Sequence, residues 1–428
     1  MTAEPTRRPT HPFELLALLT RSVMRGNAAY WAWLAFLGGL IVWGGLAYRD
    51  QLASGLIVTN MRDQVSWAFY IGNFTFLVGV AAAAVVLVIP AYVYHWKPIK
   101  EIAILGEILA ISSIVMCLLF VTVDMGRPER FWHLIPGIGR MNFPRSLLAW
   151  DVLVLNLYLV LNVVIVTHLL WRGVQRRPYE QRFVVPLVMF SIPAAVGIHT
   201  VTAFIYAGLP SRPYWNASIL APRFLCSAFC SGPAIMLILL QILQRTTPIA
   251  IRDEAIWKIA ELMAYAMFLN LFLLGAEIFK DVYSSTEHLI HLQYLFVGVH
   301  GHRALVPYAW SFVLCGVTAF LLFLIPATRK NVLTLNIGCL LIYASVYIEK
   351  GMGLVIPAFT PDVLGEIYEY RPTLHELRIG AAIFSVGFLV FTLLCKMAIP
   401  IMTGSLAPAA RQSAVASTSA ADLAASRG

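Results

Sequence analysis

Charge is what this chain has least of. Only 12% of its 428 residues are Asp, Glu, Lys or Arg, against roughly 25% in an ordinary soluble domain, and 59% are hydrophobic. So little charge cannot clothe the surface of a water-soluble fold of this length, and no polar stretch is long enough to make a separate soluble domain. Cysteine is also sparse. The six residues, Cys117, Cys226, Cys230, Cys315, Cys339 and Cys395, lie in or beside apolar runs without a CxxC pair, which leaves an iron-sulfur cluster no ligand set. Cys226 and Cys230 share a helix face and read as packing. Of ten histidines only His199 falls well inside an apolar run, with His168 near the end of another. The facing pair that a membrane b-type haem needs is missing, so this chain is expected to bind no haem, metal or iron-sulfur cluster.

What the chain does have is apolar runs of membrane-crossing length. A window of ~20 residues gives spans near 30–48, 68–94, 102–123, 147–171, 183–208, 221–243, 257–282, 306–327, 331–355 and 378–400, bounded by Lys, Arg, Asp, Pro and interfacial aromatics. Hydrocarbon offers no partner for an unpaired amide, and the alternation of a barrel strand is absent. An all-α polytopic membrane protein of about ten helices is therefore expected. Lys and Arg are modestly more frequent in the loops on the N-terminal side, which places both termini in the cytoplasm. The net charge of +9 then forms a cytoplasmic rim suited to anionic lipid, with no call for nucleic acid. Residues 1–29 read as a cytoplasmic segment without a cleavable signal, in which FELLALLTRSVM has the composition of a helix lying flat at the interface. Residues 30–400 form the membrane domain. The Ala/Ser-rich tail, 401–428, is expected to be disordered.

Counting ~1.5 Å per residue along each span places the intramembrane polar groups in depth. Tyr70 and Asn73 (in FYIGNF), Asp124, His199 (in GIHTVTAF), Arg223, Glu277, Glu349 and Lys350 all fall close to the outer surface. A buried charge costs several kcal/mol unless it is paired or wet, so this clustering marks a site. Glu129 and Arg130 can reach headgroups and read as an exposed helix end, whereas the Gly-Arg-Pro turn keeps Arg127 beside Asp124 at the helix mouth. On the inner side Glu107, in AILGEIL, and the pair Glu261 and Tyr265 offer steps for protons. Glu107 lies 17 residues, ~25 Å, below Asp124 on one helix. The four histidines of EHLIHL and VHGHR lie in an outer loop that reads as a docking surface.

These motifs carry a resemblance. DMGRPERFWHL, with IGNF before it and IHTVTAF after it, resembles the NrfD/PsrC family of quinone-reactive membrane subunits of polysulfide reductase and related complexes. IEKGMGLVIPAFTPDVLGEIYEYRPTLHEL, 348–377, with ten spans, is similar to the DsrP/HmcC type. The resemblance implies two four-helix bundles, spans two to five and six to nine, plus two flanking helices, in a bacterial inner membrane. It implies a pocket for menaquinone or ubiquinone in the first bundle near the outer face, lined by Asn73, Asp124, Arg127 and His199 with Tyr70 beside it. Glu277 stands where related chains have an acid in span seven. It also implies a periplasmic, ferredoxin-like iron-sulfur partner and further redox subunits, a multihaem cytochrome or a catalytic subunit, so the chain is not expected to be active alone. One position departs from some relatives, which have Asp six residues after the span-five His where this chain has Ile205.

Quinone chemistry accounts for the residue types, since adding two electrons and two protons needs donors for both carbonyls and groups that titrate. His199 and Asp124 suit the proton steps, with Glu277 as a third acid and Arg127 and Arg223 as cations that stabilise developing negative charge. A transporter or proton channel built on intramembrane acids is the alternative. It calls for polar groups at mid-membrane, such as Asn270 or Ser112 and Ser113, rather than at one face.

Overall fold

The computed structural model describes residues 12–81, 83–135, 137–285 and 288–404. The expected tail lies outside the described residues from position 405 onward, as do the first eleven residues. Within the described residues sixteen α-helices follow one another: α1 (Pro12–Val23), α2 (Ala28–Ser54), α3 (Phe69–Ala81), α4 (Ala83–Val88), α5 (Lys97–Lys100), α6 (Ala103–Asp124), α7 (Leu147–Val174) and α8 (Gln181–Ala207) in the first half. The second half holds α9 (Leu220–Thr246), α10 (Asp253–Ser284), α11 (His288–Phe296), α12 (Val306–Leu324), α13 (Pro326–Lys330), α14 (Val332–Lys350), α15 (Met352–Val355) and α16 (Leu374–Met402).

Among the described residues nine helices are long and apolar enough to cross a membrane: α2, α6, α7, α8, α9, α10, α12, α14 with its continuation α15, and α16. The run at 68–94 carries α3 and α4, on either side of position 82, which lies outside the described residues, and it ends in a π-turn, Ile89–Val93. Pro90 lacks the N–H that an α-helical ladder needs, and the Tyr94 amide reaches back to Ile89 instead. The other ends close as their residues predict. Asn27, Ser146 and Asn331 cap α2, α7 and α14 with side-chain oxygens, and Thr373 and Glu376 form a reciprocal capping box at α16.

The helices pack as two groups of four spans with a flanking pair. α3 and α4 pack on α6, and α7 on α8; α9 lies against α10 and α14, with α12 on both of the latter. α2 runs along α16, and α16 packs on α6. α6 is the most enclosed span, with 78% of its apolar window buried, so its two acids, Glu107 and Asp124, sit on a helix with almost no lipid-facing surface. The two groups meet where Gly72 on α3 lies against Gly351, at the break between α14 and α15. A Cβ on Gly351 would stand 2.5 Å from the Tyr347 carbonyl of its own helix, and one on Gly72 would stand 3.3 Å from the Gly351 carbonyl carbon, so the two glycines keep this contact close.

Residues 356–373, within the segment similar to the ten-span type, form a strap over the end of the molecule where α3 begins. Its carbonyls at Pro357 and Thr360 receive the His291 Nδ1–H at 2.7 and 3.2 Å. The Tyr368 hydroxyl donates to Asn60 Oδ1 at 2.8 Å, and Glu369 lies 3.5 Å from His302. Beneath it Trp215 is fully buried, donates to the Leu354 carbonyl at 2.9 Å and packs among Trp67, Tyr206 and Phe359. The histidine-rich loop thus spends two of its imidazoles on holding this strap.

Candidate functional site

At the strap end of the first group, α6 terminates at Asp124, whose Oδ1 is buried and hydrogen-bonded to nothing among the described residues. Its position is fixed from behind. The Tyr70 hydroxyl donates to Gln51 Oε1 at 2.8 Å, and Gln51 Nε2 donates to the carbonyl of Val123 at 2.7 Å, one residue before the acid. Asn73 is held as well, donating to the Phe69 carbonyl at 2.7 Å and accepting from the Tyr347 hydroxyl at 3.0 Å. On α8, His199, Thr202 and Tyr206 follow one another on a single face. Thr202 donates to Asp151 on α7 at 2.7 Å, and the Tyr206 hydroxyl is hydrogen-bonded to Thr75 on α3. His199 belongs to that inward face, is 1% exposed, and has a partner at neither ring nitrogen among the described residues. Asp124 and His199 are therefore the polar groups that this assembly leaves unanswered, while Tyr70 and Asn73 are already engaged.

Two acids here went unnoticed in the sequence. Glu376 is fully buried at the start of α16. Its Oε2 accepts from the amides of Asn60 at 3.0 Å and Thr373 at 2.8 Å, and Oε1 takes the Tyr370 hydroxyl. Burial, and then the Glu376 charge, hold that hydroxyl far above the ordinary phenol range, so Tyr370 remains a donor. Glu376 also stands within electrostatic reach of Asp124 and Tyr70. The signal for it was the capping box in TLHE, which announces a helix start rather than a site. Asp151, one turn into α7, could have been found as a lone acid in an apolar run.

Arg127 stands elsewhere than the sequence suggests. Pro128 opens a 3-10 turn (Pro128–Leu134), and the Arg127 side chain leaves the helix mouth for the surface, 73% exposed and 3.5 Å from Glu129. Arg223 and Glu277, expected at the same depth as Asp124, stand in a different set of contacts. Arg223 on α9 pairs with Glu277 on α10 and, at 2.8 Å, with Glu349 on α14. Lys350 lies 2.9 Å from the same Glu349 oxygen, and Asn270 donates to the other at 2.9 Å. Two cations face two carboxylates, none of them more than 12% exposed, and the set is electrically neutral. The recess beside it holds about 10 Å³, room for about one water and not for a quinone ring.

Toward the opposite end, Glu107 is 1% exposed and neither of its oxygens has a partner among the described residues. It stands within electrostatic reach of Tyr92 and Tyr158, and the buried hydroxyls of Ser113 on α6 and Ser231 on α9 also lack partners there. Glu261 differs in kind. It is a quarter exposed, paired with Lys258 at 3.3 Å and Arg329 at 3.6 Å, and receives the hydroxyl of an exposed Tyr265 at 3.1 Å. The structure brings Glu261 and Tyr265 together at the periphery, apart from Glu107.

The sequence profile of the family described as "Polysulphide reductase, NrfD" matches residues 57–359, which include Tyr70, Asn73, Asp124 and His199. The chain is similar to a selenate reductase subunit of Mesobacillus selenatarsenatis, 23% identical over 412 residues that cover 86% of this chain and 93% of that protein. It is 22% identical over 399 residues to the Hdr-like menaquinol oxidoreductase integral membrane subunit of Archaeoglobus fulgidus, covering 89% and 96% of the two chains. It is 22% identical over 386 residues to the menaquinone reductase integral membrane subunit of Nitratidesulfovibrio vulgaris, covering 84% and 89%.

The neutral quartet makes a stability prediction. Arg223→Met leaves two carboxylates buried against one cation and is expected to destabilise the purified chain by about 3–5 kcal/mol, read from thermal unfolding in detergent. Adding Glu277→Gln rebalances the charge and should recover part of that loss. A wild-type melting temperature in Arg223→Met would contradict the network.

Proposed function

The chain belongs to the NrfD polysulphide reductase family, and on that premise we propose that it is the quinone-reactive membrane subunit of a redox complex, exchanging electrons between the membrane quinone pool and a partner protein. The observation that carries the reading is a pair of unanswered groups on the two helices that flank α3, the buried Oδ1 of the half-buried Asp124 on α6 and the fully buried imidazole of His199 on α8. A quinone presents two carbonyl oxygens that need donors, and a quinol two hydroxyls that need acceptors. Neutral His199 has one donor and one acceptor nitrogen, and Asp124 donates when protonated and accepts when ionised, so the pair can serve either redox state. The substrate supplies two electrons and two protons. His199 and Asp124 take the protons during quinol oxidation and return them during reduction, while Tyr70 and Asn73 fix the flanking walls.

The relatives named for menaquinol and menaquinone support a menaquinone-type substrate. Because the six cysteines are dispersed and His199 has no facing histidine in the sequence, electrons must pass directly to a carrier in the partner. That requirement favours an iron-sulfur subunit seated at the strap end, above Asp124. The loop charges support a topology with that end outside and both termini in the cytoplasm, and a bacterial inner membrane is the setting proposed for it. In the assembled complex, His199→Ala and Asp124→Asn are each expected to lower quinol oxidation by about 100-fold or more while leaving subunit assembly intact. Wild-type turnover by either assembled variant would end the assignment.

Proton transfer along α6 is the finer part of the proposal. Glu107, Ser113 and Ser231 are buried without partners among the described residues, which is what a water-linked relay toward the inner side requires. Glu261 and Tyr265 then stand at the rim as its inner contact, joined to each other by a hydrogen bond. Glu107→Gln should preserve electron transfer in detergent yet lower proton uptake from the lumen of vesicles carrying the complex. An unchanged proton-to-electron ratio would make this subunit electroneutral.

A further inference from the structure

The end of the molecule opposite the strap carries a second recess, of about 130 Å³. It lies between the C-terminal turns of α9, the first turns of α10, and the junction of α13 with α14. Its polar floor includes Gln241, whose side chain exchanges two hydrogen bonds with Asn336, at 2.8 and 3.0 Å. Trp257 forms a wall and carries Lys330 Nζ 5.2 Å from its ring centroid. Ile256, Val332 and Leu335 supply an apolar side.

Three charges surround this recess, and they are not spent on one another. Arg245, Lys330 and Asp253 all line it, and no ion pair links any of them to an opposite charge among the described residues. Nearby, Arg252, Lys258 and Arg329 do find carboxylates. Two cations and one anion held apart around a cleft at the membrane boundary complement a ligand that carries both signs at short separation.

We propose that this recess binds the headgroup of a zwitterionic phospholipid of the phosphoethanolamine class, its phosphate between Arg245 and Lys330 and its ammonium on Asp253. Basic pockets between membrane helices take lipid phosphates by charge. Here the carboxylate adds a demand that phosphatidylglycerol, with no cation, does not meet. Phosphatidylcholine brings the cation but has no N–H to donate to the carboxylate. The Gln241–Asn336 pair lies where the glycerol ester oxygens would follow, and the apolar side receives the first methylenes.

The test uses the full-length chain in detergent micelles, titrated with dioleoyl phosphatidylethanolamine, with phosphatidylglycerol of the same acyl chains, or with inorganic phosphate, and read by native mass spectrometry. The wild type should retain one phosphatidylethanolamine in preference to phosphatidylglycerol. Asp253→Asn should erase that preference, and Lys330→Ala should weaken both lipids about fivefold. All three charged residues are exposed, so the variants are expected to fold, and equal thermal unfolding checks that they do. Equal or stronger retention of phosphatidylglycerol by the wild type, or an unchanged preference in Asp253→Asn, would overturn the proposal. Displacement of the lipid by millimolar phosphate would overturn it in favour of a simple anion site.

Discussion

In hydrocarbon a polar side chain can be answered only by other parts of the protein, and this constraint sorts every ionisable residue within the spans of this chain. Backbone groups meet it by forming helices. Side chains meet it in three ways. Arg223, Glu277, Glu349 and Lys350 neutralise one another, and Glu376 and Asp151 are held by donors from amides and hydroxyls. Glu261 reaches the rim and pairs there. What remains is His199 and Glu107, buried without partners among the described residues, and the half-buried Asp124, whose buried Oδ1 has none. A group left so in a membrane interior is costly, and it makes sense where a substrate or a proton will answer it. The functional reading rests on this remainder more than on the number of charges.

The two groups of helices are not independent. α3 is shared between them, with Gly72 against the Gly351 backbone and Asn73 bonded to Tyr347, two residues before Glu349. A change at the α14–α15 break therefore reaches α3 directly, through Gly72 and through Tyr347 with its partners Asn73 and Phe76. The strap closes the same end, tied to α11 through His291, to the loop after α2 through Asn60, and to α16 through Tyr370 and Glu376. It gives the segment at 348–377 a mechanical task, joining the flanking pair α2 and α16 to the same end of both groups.

How much of this could be read from the sequence depends on which coordinate a pattern encodes. Membrane spans are long apolar runs, so nine helices stand where hydropathy puts them among the described residues, and the π-turn that ends the second run was hidden because hydropathy does not register the missing Pro90 amide. Counting residues along a helix gives height only, and it grouped Arg223 and Glu277 with Asp124. It carries no azimuth, so it could not tell that the first two turn toward Glu349. Arg127 went astray for a local reason, the 3-10 turn imposed by Pro128. Glu107 was ambiguous between burial and snorkelling to the inner headgroups, and only the packing of α4 and α6 decides it: a Cβ on Gly106 would stand 2.7 Å from Leu87. Glu376 was legible as a cap, and its nearness to Asp124 depends on α16 returning to α6 more than two hundred residues later.

The central claim is that a quinone ring sits between α3, α6 and α8 rather than in the ionic network of α9, α10 and α14. Its most direct test is photolabelling of the purified chain with a menaquinone analogue bearing a photoreactive ring substituent, followed by peptide mapping. Labels confined to residues 69–81, 103–124 and 181–207, and competed away by unmodified menaquinone, are the predicted result. Competed labels concentrated in 220–246, 253–284 or 332–350, or no competed label at all, would contradict it.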